Sequence, residues 1–213
     1  MIEISNILEV KNYVGGLKAV VFDLDDTLYG EKEYVRSGYK KIAELFPMIA
    51  DVELRLWKLF EAGKAAIDEF MKEESIQSDE IRQDCINAYR YQIPDIHLYE
   101  GVQIMLNEFK TKGFKIGIIT DGRPEGQRAK IKVLELEPMV DYIIVTDEFG
   151  GPEFRKPNPI AFETMRNKLD IEYAEMCYVG DNISKDFLSP EKLGMKCIWF
   201  KNKDGLYYVE SNR

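Results

Sequence analysis

Within VVFDLDDTLYG, residues 20–30, Asp23, Asp25 and Asp26 crowd into four positions and Thr27 follows. Two unit charges about 4 Å apart repel by roughly 4 kcal/mol at an effective dielectric of about 20. A divalent cation offsets that repulsion, and hard oxygen ligands suit magnesium. The same residues suit phosphoryl transfer. One carboxylate oxygen attacks phosphorus to give an aspartyl phosphate, and the second exchanges a proton with the leaving oxygen, a task helped when burial and nearby negative charge raise its pKa. Period-two alternation puts Asp23 and Asp25 on one side if the strand continues to them, although the backbone can already be turning there.

Three more polar clusters stand in the same position relative to an apolar run. Thr120, Asp121 and Gly122 follow KIGIIT; Arg155 and Lys156 lie in FRKPNP; Gly180, Asp181, Asn182 and Asp186 lie in GDNISKD. Thr120 and the amides of Asp121 and Gly122 can bind phosphoryl oxygens, and Lys156 can neutralise their charge. Asp181 completes a metal shell, and Asp186 is expected to hold Lys156 or a metal-bound water. Asp26 and Thr27 are read as shaping the loop, since Asp and Thr favour turns and caps.

The elements that must position these residues are buried strands rich in Val and Ile: AVVFDL (19–24), KIGIIT (115–120), DYIIVT (141–146), MCYVG (176–180) and KCIWF (196–200). Helical patterns separate them, as in Val102, Met105, Leu106 and Phe109. Strand alternating with helix predicts an α/β, Rossmann-like three-layer core with a mostly parallel sheet, whose ligands bind beyond the carboxyl ends of the strands. The first two strands lie about ninety residues apart, too far for one crossover helix. Residues 31–97 therefore read as an inserted all-helical cap, in which Val52, Leu56, Leu59 and Gly63 through Ile67 mark one amphipathic helix. The catalytic core then comprises 17–30 and 98–213. Residues 1–16, ending in Gly15-Gly16, are expected to be an N-terminal extension or linker. The cap is expected to move about Gly30 and the loop near Tyr99 to Gly101. Arg90, Tyr91 and His97 invite a substrate-reading role, but structural roles are favoured.

Composition narrows the field. The 213 residues carry a formal net charge of −9, which opposes a sequence-independent grip on nucleic acid or anionic lipid. No basic-then-apolar leader pattern is seen, and the apolar runs are far short of a membrane span, so the expected address is the cytoplasm. Cys85, Cys177 and Cys197 lack metal or disulfide spacing, and His97 is the single histidine. Any catalysis falls to carboxylates and lysine.

DLDDT, IITDG, RKPNP and GDNISKD, in this order, resemble the four motifs of the haloacid dehalogenase (HAD) superfamily, in the branch whose helical cap follows the first motif. The resemblance implies Asp23 as nucleophile and magnesium ligand, and Asp25 as general acid/base with its backbone carbonyl on the metal. It implies Thr120 and Lys156 on the phosphoryl group, and Asp181 as a direct magnesium ligand. Asp121 and Asn182 replace the commoner Asn and Asp. Dehalogenases of the family lack an acid/base at the position of Asp25, so its presence favours phosphoryl transfer. The expected function is a magnesium-dependent phosphatase of a small phosphorylated metabolite, as monomer or homodimer. A phosphosugar mutase of the same family stays open, as do a phospho-accepting signalling module and a silent binding protein.

Overall fold

The apolar runs lack strict alternation because both faces of their sheet are covered; every residue of Ala19–Phe22 and Met176–Gly180 is buried. The computed structural model describes residues 1–208; the last five of the expected core segment 98–213 lie outside these. Contacts divide the chain into two compact units, one of Met1–Glu31 with the chain from His97 onward, the other of Lys32–Ile96.

In chain order the elements are β1 (Ile2–Ile4), β2 (Ala19–Phe22), α1 (Glu31–Ala43), α2 (Val52–Glu61), α3 (Ala66–Glu73), α4 (Asp79–Arg90) and α5 (Val102–Thr111). There follow β3 (Lys115–Thr120), α6 (Pro124–Val133), β4 (Tyr142–Val145), α7 (Ile160–Leu169), β5 (Met176–Gly180), α8 (Leu188–Leu193) and β6 (Lys196–Phe200). The six strands form one parallel sheet in the order β1-β6-β5-β2-β3-β4. Phe22 of β2 stands between Ile118 of β3 and Val179 of β5. The chain proceeds from β2 to one side and reaches β5 on the other, so the crevice beyond Phe22 is a topological switch point.

Two elements differ from expectation. Ile2–Ile4 form the edge strand β1, paired with β6, so part of the expected extension or linker belongs to the sheet. Three residues are too few for a period to register in sequence. The first core strand also ends at Phe22 instead of Leu24, with one further ladder bond at Asp23 before the chain turns through Asp26 at a left-handed φ of +52°.

The helical unit contains α2 to α4 and nearly all of α1. Ile42, Leu56, Phe70 and Cys85 are fully buried in its own core. The single helix expected from Val52 through Ile67 is two, α2 and α3. Gly63 between them has φ +69°, a conformation that ends helices. Gly38 in α1 is needed because a Cβ there would collide with the Tyr89 ring. Tyr91, just past α4, is 65% exposed and so is not core packing. Among the described residues no helix is long and apolar enough to cross a membrane, and the three cysteines are free and buried.

Candidate active site

Asp23 prolongs β2, its amide donating to Val179 O at 2.8 Å. Its buried carboxylate lies 2.8 Å from Lys156 Nζ, which is also 2.8 Å from Asp186 Oδ1 and donates to the Tyr178 hydroxyl at 2.9 Å. Lys156 has no exposed side-chain surface. Burial opposes its charge, but Asp186 and Asp23 outweigh burial and hold its pKa well above the lysine range. Asp181, at the end of β5, completes a buried triad: Asp23, Asp181 and Asp186 offer oxygens that all lie within 4.8 Å of one another.

Lys156 cannot balance three carboxylates. Burial, and then the charges of Asp23 and Asp186, push Asp181 up to about 9. Burial likewise lifts Asp23 to about 7, Lys156 only partly opposing it. The surplus negative charge and the hard oxygen donors fit a divalent cation. The local backbone is built for this crowding. A Cβ on Gly180 would sit 2.5 Å from Asp186 Oδ2, so the strand can end beside that carboxylate only as glycine. Asp186 Oδ2 accepts from the Asn182 amide at 2.9 Å, closing the turn, and Trp199 Nε1 donates to Asp181 O at 2.8 Å.

The loop after β3 carries Thr120, Asp121 and Gly122. Thr120 is fully buried. Asp121, proposed from sequence for substrate binding, has its carboxylate engaged by protein: it accepts from Thr146 Oγ1 (2.9 Å), the Lys156 amide (3.0 Å) and Lys185 Nζ (3.1 Å). Burial disfavours that charge, yet Lys156 and Lys185 hold its pKa below the ordinary aspartate value. Asp121 thus ties the Lys156 loop to β3. Gly122 adopts φ +138°, and a Cβ there would crowd Gln127 Cγ at 3.2 Å.

Asp25 is held by residues that the motifs do not contain. Its Oδ1 is 2.7 Å from Lys130 Nζ and also accepts from Tyr29 OH, while Oδ2 accepts from Gln127 Nε2 at 2.8 Å. Burial pushes Asp25 up, but Lys130, aided by these bonds, holds it below the ordinary aspartate value. Asp26 shapes the loop: its carboxylate accepts from the Glu31 amide (2.8 Å) and the Leu206 amide (2.7 Å). Thr27 Oγ1 lies 3.5 Å from Asp181 Oδ1.

Tyr178, Lys185, Gln127 and Lys130 were missed in the sequence, as was Glu31, which burial and Asp25 push up to about 8. Lys185 lay in plain view inside GDNISKD, and Gln127 and Lys130, three apart on a helix directly after a motif, share one face.

The site sits at the switch point of a parallel α/β sheet, with an acidic triad and a buried lysine drawn from three loops. A sequence profile described as Haloacid dehalogenase-like hydrolase matches residues 20–200, and the chain belongs to that family. It is 29% identical over 196 residues to a glyceraldehyde 3-phosphate phosphatase of Methanocaldococcus jannaschii, covering 84% of this chain and 82% of that one. It is 26% identical over 184 residues to the pyrophosphatase PpaX of Bacillus mycoides, covering 85% and 82%. Among solved structures, a HAD phosphatase from Thermococcus onnurineus superposes with a TM-score of 0.57 at 24% identity, covering 92% and 90% of the two chains. The HAD-hydrolase YfnB from Bacillus subtilis superposes with a TM-score of 0.62 at 19% identity, covering 86% of each.

Proposed function

We propose that this hydrolase is a magnesium-dependent phosphatase that cleaves a small phosphorylated metabolite through an aspartyl phosphate on Asp23. The observation that carries the reading is the Asp23 carboxylate, held 2.8 Å from a buried lysine inside a triad of acids. Relatives named for glyceraldehyde 3-phosphate and pyrophosphate support phosphate compounds as the substrate class.

Asp23 and Asp181 would hold the magnesium by their side chains and Asp25 by its main-chain carbonyl, with Asp186 beside them. When bound, the ion neutralises the carboxylates and the phosphoryl oxygens. Lys156, Thr120 and the Gly122 amide orient the phosphoryl group and offset its charge. Asp25, ionised at rest beside Lys130, takes up a proton as the anionic substrate enters; an Asp23 oxygen then attacks phosphorus, the bond to the leaving oxygen breaks, and that oxygen takes the proton from Asp25. In the second step water attacks phosphorus, the Asp23–phosphorus bond breaks, and Asp25 takes the proton of the water. The residues left over have supporting tasks: Asp186 holds Lys156, Asp121 holds its loop, and Thr27 backs Asp181. The negative surface favours a small substrate over nucleic acid, and the cytoplasm is the proposed location.

The test is phosphate release from a panel of glyceraldehyde 3-phosphate, pyrophosphate, phosphoglycolate, sugar phosphates and nucleoside monophosphates, with magnesium or EDTA. Asp23→Asn should abolish magnesium-dependent release while leaving circular dichroism unchanged. Turnover at the wild-type rate in that variant would overturn the assignment.

A further inference from the structure

Residues 201–208 lie past the last strand and past the stretch that the family profile matches. They return to the loop of Asp23 and Asp25. Buried Asn202 anchors them: its Nδ2 donates to Asp26 O and to the Tyr99 hydroxyl, each at 2.8 Å, while its Oδ1 accepts from the Asp204 amide at 3.1 Å. The Leu206 amide donates to Asp26 Oδ2 at 2.7 Å, and Oδ1 of the same buried carboxylate accepts from the Glu31 amide at 2.8 Å. Gly205 permits the close approach, since a Cβ there would lie 3.2 Å from Asn202 O and 3.3 Å from Asp26 Cγ. These bonds satisfy a carboxylate that burial would otherwise penalise. They also fix the residue that comes next, Tyr207. Its side chain is half exposed, and its hydroxyl has no hydrogen-bond partner among the described residues. Partial burial and then the charge of Glu31 raise its pKa above the ordinary tyrosine value; Lys185 opposes the rise, and Asp181 and Asp25 add to it. The phenol is therefore a free donor, standing where Glu31, Lys185, Asp181 and Asp25 converge.

We infer that Tyr207 is a specificity-determining residue, held at the site by Asn202 and the Leu206 amide, whose hydroxyl donates a hydrogen bond to an oxygen on the part of the substrate that is not transferred. The inference rests on the phosphatase reading given above and narrows its substrate class to phosphate compounds that carry oxygen beyond the phosphoryl group. A donor placed to meet such an oxygen discriminates against an analogue that lacks it, because the hydroxyl is then left without its partner. A tyrosine that served only to pack the tail would not distinguish the two compounds. Its loss would lower stability and affect both alike.

The experiment measures kcat and KM of the full chain, with magnesium, for the wild type, Tyr207→Phe and Tyr207→Leu. The substrates are the best of the phosphate panel, every member of which bears oxygen beyond the transferred group, and propyl phosphate, which bears none. Where turnover of propyl phosphate is too slow to follow, its inhibition constant replaces KM. Tyr207→Phe should raise KM on the panel substrate by about threefold to tenfold, the scale of one hydrogen bond. Its kcat should change little, because a contact to the part that is not transferred is made in the ground state and the transition state alike. Propyl phosphate should bind the variant and the wild type equally. Tyr207→Leu should raise KM on the panel substrate at least as much, and Tyr207→Phe carries the comparison should the leucine variant unfold in urea more readily than the wild type. An unchanged KM in Tyr207→Phe, or an equal change on both substrates, overturns the inference while the phosphatase reading stands. A wild-type protein that releases phosphate from no member of the panel overturns that reading and this inference with it.

Discussion

Replacing Asp181 with Asn removes one of three buried carboxylates that share a single lysine, and should stabilise the protein when no divalent cation is present. Its carboxyl is pushed from 3.8 to about 9 by burial and by Asp23 and Asp186. Below 3.8 the folded and unfolded chains both hold the proton, and the site costs nothing through this group. As pH rises the unfolded chain releases its proton first, so the penalty grows until the folded carboxyl also ionises near 9. Near pH 7 the gap is roughly three units, or about 4 kcal/mol at ~1.4 kcal/mol per unit. Adjustment of the neighbouring carboxylates reduces this, leaving an expected gain of about 2 kcal/mol. Asn keeps an oxygen for the Thr27 hydroxyl and has nearly the same volume, so no cavity offsets the gain. The assay is urea denaturation in EDTA between about pH 5 and pH 8, repeated in magnesium chloride. The variant should be more stable in EDTA, increasingly so toward higher pH. Magnesium should raise the wild type by about 2.7 kcal/mol at one hundred times its dissociation constant, and the variant by much less. A variant less stable than wild type in EDTA near pH 7, or one that gains as much from magnesium, would refute the charge argument.

Lys156→Met should lose phosphate release and destabilise the fold by about 3–5 kcal/mol, because Asp23 and Asp186 would remain buried without their cation; a melting curve and a phosphate assay check both. Gly180→Ala should lower stability by about 1–3 kcal/mol and displace Asp186, whose Oδ2 would lie 2.5 Å from the new Cβ. Thermal denaturation measures the first effect and the activity of the folded fraction the second.

The sheet was largely legible because its strands are buried on both faces and announce themselves as unbroken apolar runs. KIGIIT, MCYVG and KCIWF end where the sequence reading ended them. β1 was not legible, since IEI gains strand character only from pairing with β6. The break at Gly63 was hidden by apolar residues that kept a helical spacing across it. The site was legible where chemistry-bearing residues directly follow strands, as Asp23, Thr120 and Asp181 do. Lys130, Gln127 and Tyr178 reach it through helix rotation and strand pleat, which depend on packing and leave no fixed spacing to a motif. The partners of Asp25 were not legible for that reason: the lysine paired with it stands 105 positions away in sequence.

In the proposed mechanism phosphate passes through Asp23. Quenching the enzyme during turnover of a phosphate ester, reducing the acyl phosphate with borohydride and sequencing the peptides by mass spectrometry tests it directly. The expected result is a reduced side chain at position 23, dependent on substrate and magnesium and absent from Asp23→Asn. Reduction at another carboxylate, or full turnover with none at Asp23, would contradict it.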